Sequence, residues 1–430
     1  MLLVYTHKIT PRVNYIFKHI FVRILQIPVS FTTKVEEFVA HNGPKISYSK
    51  VPLGSEFFIR SHGLLFEQGV NDVEIIIQKW DDEPCFFATG DKSTIPFDIF
   101  AASFYLLSRY EEYLPFVKDT HERFSPHQSV AYQNGFLEKP IIDIWAYQFL
   151  ASLQKKFPDY TYTQREFKFI STINVSNVFA FKHKGVMRTL GGFTLDFFSL
   201  KWMNFWSRFL VVFNFKRDPY NTFDHLLKIQ KETGIDTLFF FLISNYTTFD
   251  TSISTTSATF VSLIKSVGDY AKVGLLPSYF TFNNRDKLKK EKSKLESITN
   301  VPLYRSRQHY LRLNFPDTYE NLLDLDILED YSMGYNSAIG FRASTCTPFY
   351  FYNIDLEIQT PLKLFPFAVS DRALNTVLKY TVDESLVKIA SLKSEVKKVN
   401  GTFITVFHNE SVGNYGEWEG WKTVYKNIVK

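Results

Sequence analysis

Cysteine is almost missing from this chain. Its 430 residues include two, Cys85 and Cys346, and neither lies in a CxxC motif or beside clustered histidines. We therefore expect neither a disulfide framework nor a structural zinc site. Two isolated thiols are typical of a reducing compartment, so the sequence predicts a cytoplasmic protein.

Long hydrophobic runs are also missing. No stretch approaches the roughly 20 apolar residues that cross a bilayer. The apolar start at residues 2–5 is broken by Thr6, His7 and Lys8, and it lacks the basic start and small-residue cleavage site of a signal peptide. These patterns predict neither a membrane span nor a secretory signal.

Charge is nearly balanced, with 49 basic and 44 acidic residues and a net charge of +5. No dense Lys/Arg run occurs, so we expect no nucleic-acid partner. The sequence also has no Gly-rich phosphate loop, no GxSxG elbow and no Cys/His nucleophile pair. Aromatic residues are abundant, at 17% of the chain. We draw inferences only from the positions at which they cluster, not from their total number.

Two regions follow from the hydrophobic periodicity. A polar, turn-rich run at 157–166 divides a first α/β unit, residues 1–165, from a second region, 166–430, in which strand and helix patterns alternate. The sequence predicts an α/β protein in which a parallel (β/α) barrel follows a smaller α/β domain. We expect strands at 2–5, 73–78, 85–89, 167–175, 237–243, 272–276, 302–306, 330–333 and 402–408, and helices at 11–25, 99–113, 144–157, 222–233, 258–270, 286–297, 316–325 and 383–399.

Short segments at the predicted strand ends form an ordered set. They are STINVSN at 171–177, GLLPSY at 274–279, SRQHYLR at 306–312, DYSMGY at 330–335, GFRAS at 340–344 and VFHNE at 406–410. In order and spacing this set resembles the polysaccharide deacetylase family, whose members remove acetyl groups from sugars. The helix DIFAASFYLLSRYEEY at 98–113 is similar to the N-terminal companion domain of a bacterial branch of that family.

The resemblance implies a particular chemistry at these strand ends. Paired aspartates would supply a general base and a metal ligand, and histidines would complete a site for zinc or a similar ion that activates water. A histidine after the last strand would protonate the leaving group. This chain departs from the pattern: Asn174-Val175-Ser176 replaces Asp-x-Asp, and Leu276 replaces the histidine of His-Pro-Ser. We therefore expect no metal, and whether catalysis survives stays open.

The remaining polar residues are the candidate site. The resemblance implies catalytic positions at His408, Asn174 and Arg307, and substrate-binding positions at His309, Arg342, Asp330 and Ser176. Each has a plainer alternative. The histidines could be a strand-end or ordinary loop residue, Asn174 and Ser176 could be inert replacements, and Arg342 could form a structural ion pair with Asp330 or Asp371.

Residues 186–217 stand apart, because Phe198, Trp202, Phe205 and Phe209 form one helical stripe among basic residues. Such a stripe can lie on an anionic membrane surface. The alternative is that the stripe packs against the rest of the protein. We predict the latter, with at most weak membrane contact through 198–213.

Three functional hypotheses follow. The first is a deacetylase-like enzyme of glycan metabolism that acts on an acetylated sugar. The second is a non-catalytic relative that binds a glycan or a partner protein. The third is a peripheral membrane or interaction module. An exposed aromatic face at 198–213 would favour the third.

Overall fold

The computed structural model describes residues 1–160 and 162–429. Within them the strands are β1 Leu2–Thr6, β2 Val29–Thr32, β3 Lys45–Ser49, β4 Phe57–Arg60, β5 Gln78–Trp80, β6 Glu83–Cys85, β7 Lys168–Val175, β8 Asp236–Leu242, β9 Lys272–Leu276, β10 Arg305–Ser306, β11 Glu329–Asp330, β12 Phe349–Asn353, β13 Ile358–Leu364, β14 Val369–Ser370 and β15 Thr402–His408.

The α-helices of the same residues are α1 Pro11–Phe17, α2 Val35–Ala40, α3 Ile99–Leu107, α4 Val130–Gln133, α5 Ile141–Lys156, α6 Val186–Phe198, α7 Trp202–Val212, α8 Phe223–Thr233, α9 Ala258–Gly268, α10 Arg285–Thr299, α11 Asp317–Leu323, α12 Val382–Lys398 and α13 Trp421–Ile428. Lys18–Ile24 continues α1 as a π-helix, and Ala373–Val377 forms a second π turn. None of these helices is long and apolar enough to cross a membrane.

The N-terminal part is built on a four-stranded parallel sheet with the order β2-β1-β3-β4. Against it lies α3, which begins where Asp98 accepts hydrogen bonds from the Phe100 and Ala101 amides. The predicted helix at 99–113 starts as expected but ends early, because Arg109 takes a left-handed conformation with φ of 57°. The strand predicted at 73–78 does not form, and only Gln78 of that range enters a strand.

The second sheet has nine strands among the described residues, in the order β12-β13-β11-β10-β9-β8-β7-β15-β14. All neighbours are parallel except the β12–β13 pair. The fold is therefore a mixed α/β arrangement with parallel sheets, as predicted. Because β12 and β14 form the two edges in the described part of the chain, closure into a barrel is not shown. The antiparallel β12–β13 hairpin was not predicted from the sequence.

Alternate residues of this sheet face two different cores. Ile173, Phe239 and Phe407 point to the large core beneath the helices. The other face carries two small apolar clusters, which share contacts with Ile170 and Phe365 and consist of Leu238, Phe240, Leu242, Leu276 and Tyr331, and of Leu311, Phe367, Ile404 and Val406. This two-sided burial explains why the strands read as near-continuous apolar runs.

One hydrophobic core continues across the two parts. Tyr352 of β12 packs edge-on against Phe104 of α3, with ring centroids 5.3 Å apart, and also contacts Tyr15. Arg165, at the end of the predicted first domain, donates to Asp143 of α5 at 2.8 Å and to the Val399 carbonyl at 2.8 Å. We call this contact region the seam.

The aromatic stripe corrects the sequence prediction. Phe198 is 81% exposed and Trp202 is 48% exposed, while Phe205 and Phe209 are half-buried. The expectation that this stripe is largely buried against protein is therefore wrong. Helices α6 and α7 pack mainly on each other, through the Asp196–Arg208 ion pair and the Phe193–Phe205 contact, and their outer sides remain open to solvent.

Candidate functional site

A cavity of about 340 Å³ opens at the carboxyl ends of the central strands. Ligands of open parallel sheets bind at this edge. In agreement with the prediction for the strand ends, His408 of β15 lies directly opposite Asn174 of β7, and Leu276 ends β9 at the same edge. The lining residues are Asn174, Ser176, Asn177, Thr248, Phe249, Thr251, Gln308, His309, Tyr310, Leu311, Asn336, Ser370, Arg372, Val406, His408 and Glu410.

Arg307 lies beneath the floor of this cavity and does not line it. Its Nη1 donates to Thr172 Oγ1 at 2.6 Å and to Asn174 Oδ1 at 3.2 Å, and its Nε donates to the Tyr331 carbonyl. Burial lowers the pKa of the Arg307 guanidinium to about 9. Because the Asn174 oxygen accepts from below, its amide nitrogen is the group available to a ligand. Arg307, predicted to be catalytic, thus contacts the Asn174 side chain without reaching the cavity itself.

His408 belongs to a chain of charged side chains. Its Nδ1 lies 2.8 Å from Asp371 Oδ1, and Arg372 Nε donates to its Nε2 at 3.2 Å. Arg372 also pairs with Glu410. Burial opposes the charge of Asp371, but attraction and hydrogen bonding from His408 outweigh it and hold the Asp371 pKa below its usual value. Because Arg372 Nε donates a hydrogen bond to Nε2, Nδ1 is the ring nitrogen that faces the Asp371 carboxylate as a donor.

A second histidine–aspartate pair lies on another wall. His309 Nδ1 is 3.0 Å from Asp250 Oδ1, and the same oxygen accepts from the Tyr279 amide at 3.1 Å. Burial lowers the pKa of His309, with the nearby Asp250 opposing that change. Asp250 is itself penalised by burial, yet the hydrogen bonds from His309 and Tyr279 hold its pKa below the usual value. His309 is therefore a neutral imidazole with a fixed orientation.

Aromatic rings form the side of the cavity next to His309. Phe249 stacks on Tyr279 with centroids 3.9 Å apart, and Tyr310 stands edge-on to both rings. His121, from the N-terminal part, contacts Tyr310 and places its Nδ1 3.1 Å from the Tyr279 hydroxyl. These residues were not predicted. Their sequence signal is weak, because they occupy loops and Tyr310 adopts a left-handed backbone with φ of 59°.

Two of the predicted substrate-binding residues lie away from the cavity. Arg342 donates from Nε to Glu112 at 2.9 Å, so its ion-pair partner is neither Asp330 nor Asp371. Asp330 accepts from the Ser306 and Ser332 hydroxyls at 2.9 and 2.8 Å and is fully buried. Burial raises the pKa of Asp330 to about 6. The structure brings together Asn174, Ser176, His309 and His408, and leaves Arg342 and Asp330 in structural networks.

The donor set does not fit the metal site that the family resemblance implies. A catalytic zinc site takes about three protein ligands. Among residues 1–160 and 162–429, no group of three or more His, Cys, Asp or Glu side chains could hold a metal ion. Ser176 lines the cavity where a carboxylate was expected, and Leu276 is fully buried in an apolar cluster where a histidine was expected.

A protein-family model matches the N-terminal part of the chain. Residues 2–158 match the model of a family of unknown function, DUF7033. The match covers the N-terminal part only and carries no activity with it. No curated protein matches the chain.

Solved structures of low sequence identity align with 60–62% of the chain. A polysaccharide deacetylase from Bacillus cereus aligns at 12% identity over 61% of this chain and 86% of its own, with a TM-score of 0.29. A probable polysaccharide deacetylase from Pseudomonas aeruginosa PAO1 aligns at 11% identity over 60% and 83%, with a TM-score of 0.36. A CE4 family pseudoenzyme from Bacillus anthracis aligns at 12% over 62% of each chain, with a TM-score of 0.29. Likeness at this level does not define a function.

Proposed function

We propose that this protein is a deacetylase-like carbohydrate-binding protein that holds an acetylated sugar in the cavity without metal-dependent hydrolysis. The observation that carries the proposal is the lining itself. It combines amide and hydroxyl side chains with aromatic rings at the carboxyl edge of a parallel sheet, and its donor set does not fit a catalytic metal.

The lining matches the chemistry of a sugar. A pyranose presents hydroxyl groups around its rim and C–H groups on its faces. Asn174, Gln308 and Asn336 supply amides for the rim, while Phe249 and Tyr310 supply aromatic surface for a face. A pocket that orients its ligand with a few fixed polar groups and binds through apolar surface is the usual form of a small-molecule site.

The charged groups favour binding over hydrolysis. His408 cannot donate a proton from Nε2 while that atom accepts from Arg372. Arg372 is itself held by Glu410, so the arrangement is stabilised on both sides. We infer that Arg372 presents its guanidinium to the ligand as a hydrogen-bond donor and that His408 and Asp371 keep it in place.

A second candidate function rests on the Asp371–His408 pair. A buried carboxylate that orients an imidazole is the arrangement of a general base. If ligand binding displaced Arg372, Nε2 would take a proton from water while the water oxygen attacks the acetyl carbonyl. The acyl C–O bond would then break, and the departing sugar oxygen would take that proton back from His408 as acetate is released. This reading predicts slow, metal-independent release of acetate that depends on His408.

Calorimetry and acetate release separate the two candidates. Oligomers of N-acetylglucosamine and O-acetylated xylooligosaccharides, each with its deacetylated counterpart, are titrated into the whole chain. We expect binding of an acetylated oligomer and no acetate release, with or without added zinc. The variant Asn174→Leu should abolish binding, and Lys289→Ala on the distant helix α10 should leave it unchanged.

Two results would contradict the carbohydrate-binding proposal. The first is an absence of binding for every acetylated oligomer at millimolar concentration. The second is one-to-one zinc binding lost in His309→Ala together with zinc-dependent acetate release. Acetate release that is unaffected by chelators but lost in His408→Ala would establish the second candidate instead.

A further inference from the structure

The connection from β7 to α8 forms a helical hairpin whose outer surface is apolar. We call residues 186–217 the aromatic hairpin. Along α7 and just beyond it, the exposed side chains recur at one helical spacing. The exposed large hydrophobic residues of the hairpin are Val186, Met187, Leu190, Leu195, Phe197, Phe198, Leu200, Trp202, Met203, Trp206, Leu210, Phe213 and Phe215.

Isolated exposed apolar residues are normal on a protein surface, but a contiguous group of this size marks a contact site. The three most exposed are Met187 at 84%, Met203 at 83% and Phe198 at 81%. The hairpin is nevertheless well formed. Asp196 of α6 pairs with Arg208 of α7 at 2.8 Å. The Tyr415 hydroxyl donates a hydrogen bond to Asn204 in the first turn of α7, which ties the hairpin to the body of the protein.

The charge of the residues in and beside the hairpin indicates which kind of partner this surface can bind. Residues 182–217 contain seven Lys or Arg and a single acidic residue, Asp196. Asp196 is buried and neutralised by Arg208. Lys201 and Lys216 are exposed on either side of α7, whereas Arg217 pairs with the exposed Asp224 of α8 at 2.7 Å. The surface therefore combines aromatic and aliphatic side chains with the positive charge of these two lysines, and residues 182–217 present no exposed carboxylate of their own.

We propose that the aromatic hairpin binds the surface of an anionic phospholipid bilayer and holds the protein there as a peripheral membrane protein. Helices rich in Trp, Phe and Leu with flanking Lys and Arg lie in the interface between headgroups and acyl chains. Trp is the side chain most characteristic of that depth. The 13 residues of α6 and 11 residues of α7 are about 20 and 17 Å long, so they lie along the interface rather than across it.

A second copy of the same chain fits less well. A twofold contact would bring the same basic surface of both copies together. Each copy would present Lys201 and Lys216 to the other, with no exposed acidic side chain of the hairpin to pair with them. Charge complementarity thus selects an anionic surface over self-association.

The hairpin follows the strand that carries Asn174, so the membrane-binding surface lies at the same edge of the sheet as the cavity. Phe181, in the segment between β7 and the hairpin, contacts Tyr415 in the region after β15. A bilayer contact here would bring the cavity opening close to the lipid surface. The proposal does not depend on which ligand the cavity holds.

Vesicle cosedimentation of the whole chain tests the proposal. We expect binding to phosphatidylcholine vesicles that contain phosphatidylserine, weaker binding to pure phosphatidylcholine, and loss of binding as salt rises well above about 0.1 M. Lys201→Gln with Lys216→Gln should lower the partition constant by about fivefold per lysine removed. Trp202→Glu with Trp206→Glu should lower it by about tenfold or more. The matched controls are Lys289→Gln with Lys290→Gln on α10 and Val387→Glu on α12, which should bind like the unmodified chain.

Tryptophan fluorescence gives a second measurement. Brominated lipids should quench the emission of the unmodified chain, and Trp202→Phe with Trp206→Phe should retain vesicle binding but lose the quenching. Equal binding to neutral and anionic vesicles, or quenching that survives the removal of both tryptophans, would overturn the proposal. So would a concentration-dependent dimer, without lipid, that is lost in Trp202→Glu with Trp206→Glu, because the surface would then belong to a second copy.

Discussion

Arg342 and Arg372 each form an ion pair with a glutamate, but one pair lies in the seam and the other in the cavity. The Arg342 side chain is 2% exposed and Glu112 is 1% exposed, whereas the Arg372 side chain is 38% exposed. Arg342 uses Nε and Nη2 on Glu112 and Nη1 on the Gly334 carbonyl. Arg372 contacts His408 and Glu410 and still borders open space. A guanidinium whose N–H donors are all hydrogen-bonded within the protein has a structural role. A guanidinium that borders a cavity can also bind a ligand.

The largest expected difference between the two regions is in stability. Arg342→Ala leaves Glu112 buried with half of its partners, and breaking a buried ion pair on one side costs about 3–5 kcal/mol. Urea unfolding should show this loss. The control is Arg285→Ala, whose ion pair with Asp324 is exposed and contributes less than about 1 kcal/mol. A loss as small as that of the control would show that Arg109 alone is enough to stabilise the buried Glu112.

A buried histidine in the seam should make the free energy of unfolding decrease in acid. His19 is fully buried against Phe349, neither ring nitrogen has a hydrogen-bond partner among the described residues, and burial lowers its pKa to about 3. The unfolded chain binds a proton below about pH 6.5, while the folded chain does not, so stability falls as the pH drops. Between pH 7 and 4.5 the loss should be about 2.5 kcal/mol.

Unfolding at several pH values checks this contribution. His19→Phe should remove the acid-dependent loss, and His127→Gln, at an exposed histidine, should retain it. An unchanged pH dependence in His19→Phe would assign the loss to other groups.

On the cavity side the expected pH dependence has the opposite sign. Glu291 accepts from the Ser278 hydroxyl and amide, just beyond β9, and burial raises its pKa to about 7. The folded chain therefore retains a proton that the unfolded chain releases above about pH 4.5, so stability falls as the pH rises. From pH 5 to 8 the loss should be about 2.5 kcal/mol.

Glu291→Gln should flatten the stability profile over that range when it is measured by the same unfolding experiment. Glu232→Gln, at an exposed glutamate of α8, serves as the control and should leave the slope in place. A steeper alkaline loss in Glu291→Gln would mean that the carboxylate is stabilised by its surroundings rather than penalised.

The smallest expected change in stability comes with a large change in binding. Arg372→Gln removes a guanidinium that is 38% exposed but leaves a glutamine amide that can still donate to the buried Glu410, so we expect a stability change of about 1 kcal/mol. Its contact with a ligand is charge-assisted, and the affinity for the acetylated oligomer should fall about tenfold or more. Calorimetry and unfolding are measured on the same preparation. Unaltered affinity would place the ligand away from Arg372.

The strands around the cavity could be predicted because each one is marked by a pattern of neighbouring residues in the sequence. The apolar runs of β7, β8, β9 and β15 are recognisable in the sequence, and parallel strands bring their carboxyl ends to one edge. The juxtaposition of Asn174 and His408 follows from that rule. The weakly periodic β12–β13 hairpin and the early end of α3 depend on packing and on one left-handed residue.

The charged residues that line or support the cavity could not be predicted in the same way. Asp250 and Glu410 lie in loops and Arg372 directly precedes the short π turn at Ala373–Val377, so none of them belongs to a periodic pattern. Each has a partner that is distant in sequence or contributed by another element. Arg342 sits in a recognisable motif, yet its partner is 230 residues away. For the aromatic hairpin, the pattern identifies an apolar face but contains no information on whether another element covers it.

The wall of the cavity is shared by the two parts of the chain. Arg123 donates to the Tyr310 carbonyl at 2.9 Å, and His121 packs on the ring of Tyr310, which itself borders the cavity. By mass action, a ligand that binds only the folded cavity stabilises every segment whose unfolding would destroy it. Occupancy of the cavity would therefore protect the loop that carries His121 and Arg123 from proteolysis. A bound ligand would also link the N-terminal part non-covalently to the sheet that bears the site.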